Sequence, residues 1–230
     1  MNRRIFATVF FSMVLLCNAT KLQAAEAGQM VIGGFYHLGF ALVAGDGYEL
    51  WNDLDRGDRT PKFSTGGGGY FDYYFNHFLG IEGGFGIITK GIRYSYGDVR
   101  HKVTLPYMEL PVMAKFTIKG FQAAVGLALF VALGGRTINV VDEDKNIHSF
   151  TGRDWDFMRR VNFGPKVALG YAIPVGPVSL VPGMSWTIHF INDLDSDEIA
   201  DSTFRRNDPD YRMRATNVMF VFAVEWMIPR

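Results

Sequence analysis

The sequence predicts an all-β protein, an eight-stranded antiparallel up-and-down transmembrane β-barrel. Three observations predict it. Eight segments alternate in hydropathy with a period of two, the period at which side chains of a β-strand share a face. The connections alternate between short turns and long polar loops, as in outer-membrane barrels. The longest apolar run after the N-terminal region, residues 123–135, is shorter than the roughly 20 residues of a membrane-spanning helix.

The clearest segment is the fourth, residues 105–118. One face is apolar, and the other carries two opposite charges, Glu109 and Lys115. This alternation alone suits a soluble sandwich strand and a membrane barrel strand equally well. The loop lengths and the other segments assign the apolar face to lipid. That face consists of Met108, Leu110, Val112, Ala114, Phe116 and Ile118.

The other seven segments follow the same rule. They are residues 30–44, 63–75, 79–96, 121–134, 158–173, 178–190 and 213–228. In the fifth, large residues alternate with small ones, which suits a narrow lumen. Short turns are predicted at 76–78, 119–120 and 174–177, long loops at 45–62, 136–157 and 191–212, and an intermediate connection at 97–102. An even number of strands leaves both termini on the short-turn, periplasmic side.

The N-terminus has the pattern of a secretory signal peptide. A basic pair, Arg3 and Arg4, precedes an apolar stretch at residues 5–16, and cleavage is predicted near Ala25 or Ala27. Residues 1–27 are therefore the predicted leader, and residues 28–230 the barrel domain. Cys17, the only cysteine, would leave with the leader, so the mature barrel has no predicted disulfide.

The composition excludes several functions. The 23 basic and 23 acidic residues balance, which disfavours a nucleic-acid partner. The glycine run 66–69 lacks the Gly-Lys-Ser/Thr of a phosphate loop, and the acidic loops do not have calcium-loop spacing. We therefore predict no cofactor, no metal site and no catalytic residue.

Two sets of side chains follow from the alternation. Four acids and four bases would point into the lumen, where they can pair rather than stand isolated. This predicted polar network is Asp72, Glu82, Lys90, Glu109, Lys115, Arg160, Lys166 and Glu225. Aromatic residues near segment ends would form interfacial girdles. The predicted girdle residues are Phe75, Tyr94, Tyr96, Trp186 and Trp226.

One strand carries a family resemblance. Residues 107–116, YMELPVMAKF, resemble the Y-L-E-I-P-L-L-x-K-[YF] strand common in the PorT-like group of outer-membrane proteins. Over about residues 31–228 the chain is similar to the bacterial outer-membrane β-barrel family that includes PorT-like and OmpX- and OmpA-like small barrels. The resemblance implies an integral outer-membrane protein with no shared catalytic residues.

The leading hypothesis for function is a structural or surface-interaction role for the long outer loops. The predicted partners are outer-membrane lipids, lipopolysaccharide or a host surface ligand at the loops, and the barrel-assembly machinery during insertion. An Arg-Gly-Asp tripeptide at 56–58 is a weak adhesion signal. The alternatives are a narrow porin-like channel for small solutes and a lipid-modifying enzyme built on His37, Ser185 and His189. The rival fold is a soluble periplasmic ligand-binding barrel, with the same alternation facing the other way.

Overall fold

A computed structural model describes residues 26–44, 58–96, 99–134, 136–141, 147–152, 160–190 and 214–229. None of these residues belongs to a helix that is long and apolar enough to cross a membrane. The described part contains twelve strands. In chain order they are β1 (Met30–Ala44), β2 (Asp58–Thr60), β3 (Lys62–Tyr74), β4 (Leu79–Tyr96), β5 (Val99–Ile118), β6 (Phe121–Ala132), β7 (Arg136–Val141), β8 (Ile147–Gly152), β9 (Val161–Tyr171), β10 (Ile173–Val175), β11 (Val178–Ile188) and β12 (Arg214–Met227).

Eight of these strands close into a ring. β1, β3, β4, β5, β6, β9, β11 and β12 each pair antiparallel with the preceding and following member, and β12 returns to β1. The closing pair runs from Val31 opposite Met227 to Ala44 opposite Arg214. Closure leaves no free sheet edge around the barrel, which is the condition for spanning a membrane with strands. The predicted fold class is confirmed.

The two faces of the wall are chemically opposite. On β5, Val112 and Ile118 are 59% and 62% exposed, whereas Glu109 and Lys115 on the opposite face are 1% and 3% exposed. On β3, exposed Phe63 and Phe71 likewise alternate with buried Lys62, Ser64 and Asp72, and on β1 exposed apolar residues alternate with buried small residues and His37. An apolar outer surface around a charged interior is stable only with lipid outside, since water there would face large apolar side chains.

The hairpin of β4 and β5 extends beyond the barrel. These strands have 18 and 20 residues, whereas a barrel strand spans the membrane with about 9–11. β2 pairs with the far end of β4, and the hairpin of β7 and β8 pairs with the far end of β5. The result is a five-stranded sheet on the long-loop side, which we call the sheet extension.

The structure corrects three predicted connections. The predicted loop 45–62 contains β2, and β3 already begins at Lys62. Residues 97–102 are not an intermediate loop, because β5 already begins at Val99. The predicted loop 136–157 contains β7 and β8. The physical reason is that a protruding hairpin exposes two open edges, and neighbouring segments satisfy those backbone groups.

The short turns lie on the opposite side of the barrel. Lys119 and Gly120 join β5 to β6 with φ of 49° and 81°, the left-handed values that a tight two-residue hairpin turn requires. Between β3 and β4, Asn76 Oδ1 accepts hydrogen bonds from the backbone N–H groups of Phe78 and Leu79, at 3.0 and 2.8 Å.

The two inward glycines of the glycine run on β3 lie where a larger side chain would not fit. Gly66 and Gly68 point inward, and a Cβ on Gly68 would lie 2.0 Å from the carbonyl oxygen of Phe85. A Cβ on Gly66 would meet the ring of His37 at 2.2 Å. The inward glycines therefore admit a buried imidazole and close strand contact.

The predicted leader, residues 1–27, lies almost entirely outside the described residues, so its cleavage stays a prediction.

We expect Gly68→Ala to lower the free energy of unfolding by about 1–3 kcal/mol, because the added methyl group overlaps backbone atoms. The matched control is Gly83→Ala on β4, where an added Cβ meets nothing within 4 Å. This control should leave stability unchanged or raise it by up to ~1 kcal/mol. Urea unfolding in micelles, followed by tryptophan fluorescence, measures both. Equal midpoints for the two variants would contradict the assigned faces.

Candidate functional site

The candidate site is the barrel lumen, where most of the buried polar residues of the described part lie. Seven of the eight predicted network residues point inward; Glu82 is partly buried and the other six are buried. The alternation on each strand decides that they point inward. Which of them meet depends on the register and curvature of the wall.

Four of these residues form what we call the turn-side cluster: Asp72, Glu82, Lys115 and Glu225. Lys115 Nζ lies 2.7 Å from Asp72 Oδ2, 2.8 Å from Glu225 Oε1 and 3.3 Å from Glu82 Oε2. The three carboxylates come from β3, β4 and β12, and each lies within a few residues of the turn-side end of its strand. One ammonium among three carboxylates leaves the cluster with a formal charge of −2.

Two neutral side chains that the sequence analysis left out complete this cluster. The Tyr70 hydroxyl donates a hydrogen bond of 2.9 Å to Glu225 Oε1. The Gln122 amide donates one of 2.9 Å to Glu225 Oε2. Their inward positions on β3 and β6 were readable from the alternation. Their contact with Glu225 required knowing which strands face each other across the lumen.

A second group lies nearer the loops, and we call it the loop-side cluster: Lys62, Lys90, Glu109, Lys166 and His189. Lys166 Nζ lies 3.1 Å from Glu109 Oε1. Lys90 Nζ lies 2.5 Å from His189 Nε2, and Lys62 Nζ donates to the carbonyl oxygen of Lys90 at 3.0 Å. Three ammonium groups and one carboxylate give these members a formal charge of +2 when the imidazole is neutral. The described lumen is therefore polarised along the barrel axis.

Aromatic rings close around this cluster. Phe130 is fully buried, and Lys90 Nζ lies 3.5 Å from the centroid of its ring. The His189 ring lies 4.5 Å from Phe130 and 5.8 Å from Tyr107, centroid to centroid. Contact between an ammonium and an aromatic face is favourable when water is excluded. We call Lys90, Tyr107, Phe130 and His189 the aromatic plug.

A cavity of about 80 Å³ lies between the two clusters. We call it the lumen chamber. Glu82, Lys115, Tyr70 and Gln122 line it from the turn-side cluster, and Lys166 and His37 line it from the other direction. Much of the remaining wall consists of small inward residues, namely Ala124, Ala168, Gly170, Gly183, Ser185 and Ala223.

Several buried polar atoms in the described lumen have no hydrogen-bond partner there. They include Asp72 Oδ1, His37 Nε2, Thr187 Oγ1, and Oδ1 and Nδ2 of Asn217. Thr187 and Asn217 are directly opposite in the register of β11 and β12. Buried polar atoms of this kind are ordinarily satisfied by water or a bound group.

Arg160 is the exception among the predicted network residues. It is exposed and lies one residue before β9 begins, at the loop-side end of the wall. The prediction extended the alternation back to Met158, but the ladder starts at Val161, so the inward direction does not apply to Arg160. The network of the described lumen therefore has three lysines from the predicted set and gains Lys62.

The predicted girdle residues have outward positions where they are described. Phe75, Trp186 and Trp226 are 55%, 45% and 47% exposed. The Trp186 indole donates a hydrogen bond of 3.0 Å to Thr216 Oγ1. The side chains of Tyr94 and Tyr96 lie outside the described residues.

Within the described ranges, no group of three or more His, Cys, Asp or Glu residues is arranged to hold a metal ion. His37, Ser185 and His189 are all buried in the lumen. The ring nitrogen Nε2 of His189 lies against Lys90, not against a serine hydroxyl.

We expect Lys115→Met to lower the free energy of unfolding by about 3–5 kcal/mol, because three carboxylates in the lumen, two of them buried, lose their shared cation. Lys119→Met, in the exposed turn, removes the same charge and should change stability by less than about 0.5 kcal/mol. Urea unfolding of both variants and the wild type measures these effects. A Lys115→Met barrel as stable as the wild type would refute the central role of this lysine.

No protein-family model and no curated protein matches the sequence. Among solved structures the chain is similar to Ail, the attachment invasion locus protein of Yersinia pestis, in complex with the heparin analogue sucrose octasulfate. The identity is 13% and the TM-score 0.42, over 86% of this chain and 99% of that one. It is also similar to OprG from Pseudomonas aeruginosa, at 14% identity and a TM-score of 0.43, over 91% and 100%. Neisserial surface protein A gives 11% and 0.37, over 88% and 98%.

The molecule's own geometry decides its class. A closed ring of eight antiparallel strands, an apolar outer surface and a charged interior are together the properties of a small outer-membrane barrel. The resemblance to OmpX- and OmpA-like small barrels is confirmed at the level of the fold, and its PorT-like part stays a prediction. The protein is a closed eight-stranded β-barrel whose apolar outer surface suits contact with lipid.

Proposed function

We propose that this barrel is a closed scaffold that holds the sheet extension and the long loops at the cell surface, where they bind other molecules. In this role the barrel conducts no solute and catalyses no reaction. Its partners are the surrounding lipids, a surface ligand on the loop side, and the barrel-assembly machinery during insertion.

The observation that carries the proposal is the aromatic plug. Phe130 and His189 are fully buried and Tyr107 is 1% exposed. They surround the buried ammonium of Lys90 on the loop side of the chamber. An eight-stranded barrel is only wide enough for side chains to fill it. A solute would therefore have to displace packed rings and a buried ammonium.

A narrow channel is the second candidate. The lumen chamber and the charged clusters favour it, because hydrated ions pass more easily along polar walls than apolar ones. Charged side chains of each cluster are nevertheless held in ion pairs with one another within the described lumen. Lys115 is held by three carboxylates, and Lys166 by Glu109. Moving an ion through would break those pairs.

The sheet extension suggests the chemistry of the surface ligand. In the register of β4 and β5, Arg93 is directly opposite Lys102, and Ser95 is opposite Arg100. Basic residues at these facing register positions favour an anionic ligand over a cationic one. We therefore propose a ligand with phosphate, sulfate or carboxylate groups, either lipopolysaccharide of the same membrane or an acidic glycan of another surface.

Single-channel recording in planar bilayers tests the closed barrel. We expect the refolded protein to give no reproducible conductance steps, because the aromatic plug fills the lumen. A variant with Phe130→Ala and Tyr107→Ala removes two large rings and should show measurable current. A general porin in the same chamber controls for insertion and detection. Discrete channels from the wild-type protein would overturn the closed-scaffold role in favour of the channel.

Binding to anionic surfaces tests the ligand. We expect the barrel in lipid nanodiscs to bind heparin or lipopolysaccharide vesicles with an affinity that falls as salt rises. Arg93→Gln with Lys102→Gln should weaken binding by about tenfold or more, since each charged contact contributes on the order of 1.5–3 kcal/mol. Lys119→Gln, on the turn side, is the matched control. Stronger binding to one of the two probes shows whether the ligand is a lipopolysaccharide or an acidic glycan. Equal binding by all variants would show that the sheet extension is not the binding surface.

A further inference from the structure

We propose that the lumen chamber is a binding site for a small zwitterion, a molecule with a primary ammonium group and a carboxylate separated by one or two carbons. This inference concerns the interior of the barrel and does not depend on the surface ligand proposed above.

The chamber exists because of an uneven distribution of side-chain size. On β6, β9, β11 and β12 the inward residues that line it are mostly Ala, Gly or Ser, whereas Phe35, Tyr70 and Met113 fill the opposite side. Gly170 and Gly183 are directly opposite each other in the register of β9 and β11. Larger residues at these positions would fill the space, as Phe130 does nearer the loops. The opening is thus determined by particular residues.

The charge around the chamber differs between its two ends. Toward the turns, the chamber borders a cluster in which three carboxylates share one lysine. Glu82 has the longest of the three contacts with Lys115, at 3.3 Å, and it also lines the chamber. Toward the loops, the lining includes Lys166, whose one ion-pair contact in the described lumen is with Glu109, and Ser185. One end therefore suits a cation, and the other end suits an anion.

An unsatisfied buried atom on the chamber wall points to a missing polar partner. His37 lines the chamber and is 2% exposed, and its Nε2 has no hydrogen-bond partner in the described part. Such an atom loses free energy when it is left without a partner. A ligand whose carboxylate lies at this end, together with the water it brings, would supply that partner.

The size and chemistry of the chamber narrow the class further. About 80 Å³ is several times the roughly 10–15 Å³ of cavity space that one water molecule needs, so the chamber can hold a molecule of a few heavy atoms. An apolar ligand would bury the lysines and Glu82 without compensation. A ligand with only a positive charge would be repelled by Lys115 and Lys166, and a ligand with only a negative charge would be repelled by Glu82. Tyr70 and Phe35 already lie within about 6 Å of lysine ammonium groups, at 5.0 and 5.9 Å, and offer ring faces to another.

The test is a titration of the full-length barrel, refolded in micelles with and without glycine, followed by NMR at the backbone amides of Gly170 and Gly183. Methylammonium and acetate at matched ionic strength are the controls with a single charge. We expect saturable shifts with glycine and none with either control. Glu82→Gln should weaken glycine binding by about tenfold to a hundredfold, because one charged hydrogen bond to the ammonium is lost.

Two adjacent alanines on β6 provide a matched pair. Ala124 lines the chamber, and Ala123 alternates with it and so lies on the lipid face. Ala124→Leu should abolish binding, and Ala123→Leu should preserve it. If Ala124→Leu does not fold, the Glu82→Gln comparison still decides. Shifts that do not saturate, that are equal for all three probes, or that persist in Ala124→Leu would show that glycine does not bind in the chamber and would overturn the proposal.

Discussion

Lipid cannot hydrogen-bond a peptide group, and the rest of this structure depends on that constraint. Each of the eight wall strands must find two partners, so the sheet closes on itself between β12 and β1. Closure then fixes the two faces. Because successive residues point to opposite sides, any polar side chain in the wall either faces hydrocarbon or shares the narrow interior. The charged lumen is a consequence of closure combined with alternation.

The free-energy cost of burying those charges is reduced because opposite charges lie together in the interior. Lys115 gathers three carboxylates from three strands, and Tyr70 and Gln122 supply neutral donors. Nearer the loops, ammonium groups pack against aromatic rings and an imidazole. The two clusters carry opposite formal charges, so the charge of the lumen changes sign along the barrel axis. The chamber lies between the clusters, and residues of both contribute polar groups to its wall.

The barrel also determines what stands outside the membrane. β4 and β5 are nearly twice as long as the membrane requires, and their protruding edges are completed by β2, β7 and β8. A rigid wall that continues as a sheet presents a surface at a fixed height, whereas an isolated loop would not. The opposition of Arg93 and Lys102 lies within that sheet. The closed lumen and the sheet extension together favour the proposed role at the cell surface.

The sequence by itself determined the number of strands in the barrel wall, their inward and outward faces, the long-loop and short-turn sides and the inward direction of seven of the eight charged residues predicted for the lumen, because alternation and turn chemistry are local properties of the chain. Arg160 was misplaced because the alternation does not show where a ladder starts. Only the tertiary structure decided that Lys115 meets Asp72, Glu82 and Glu225, that His189 meets Lys90, and that small residues from four strands leave a chamber between them. Those contacts join residues up to 110 positions apart, and they depend on the register of every strand between them.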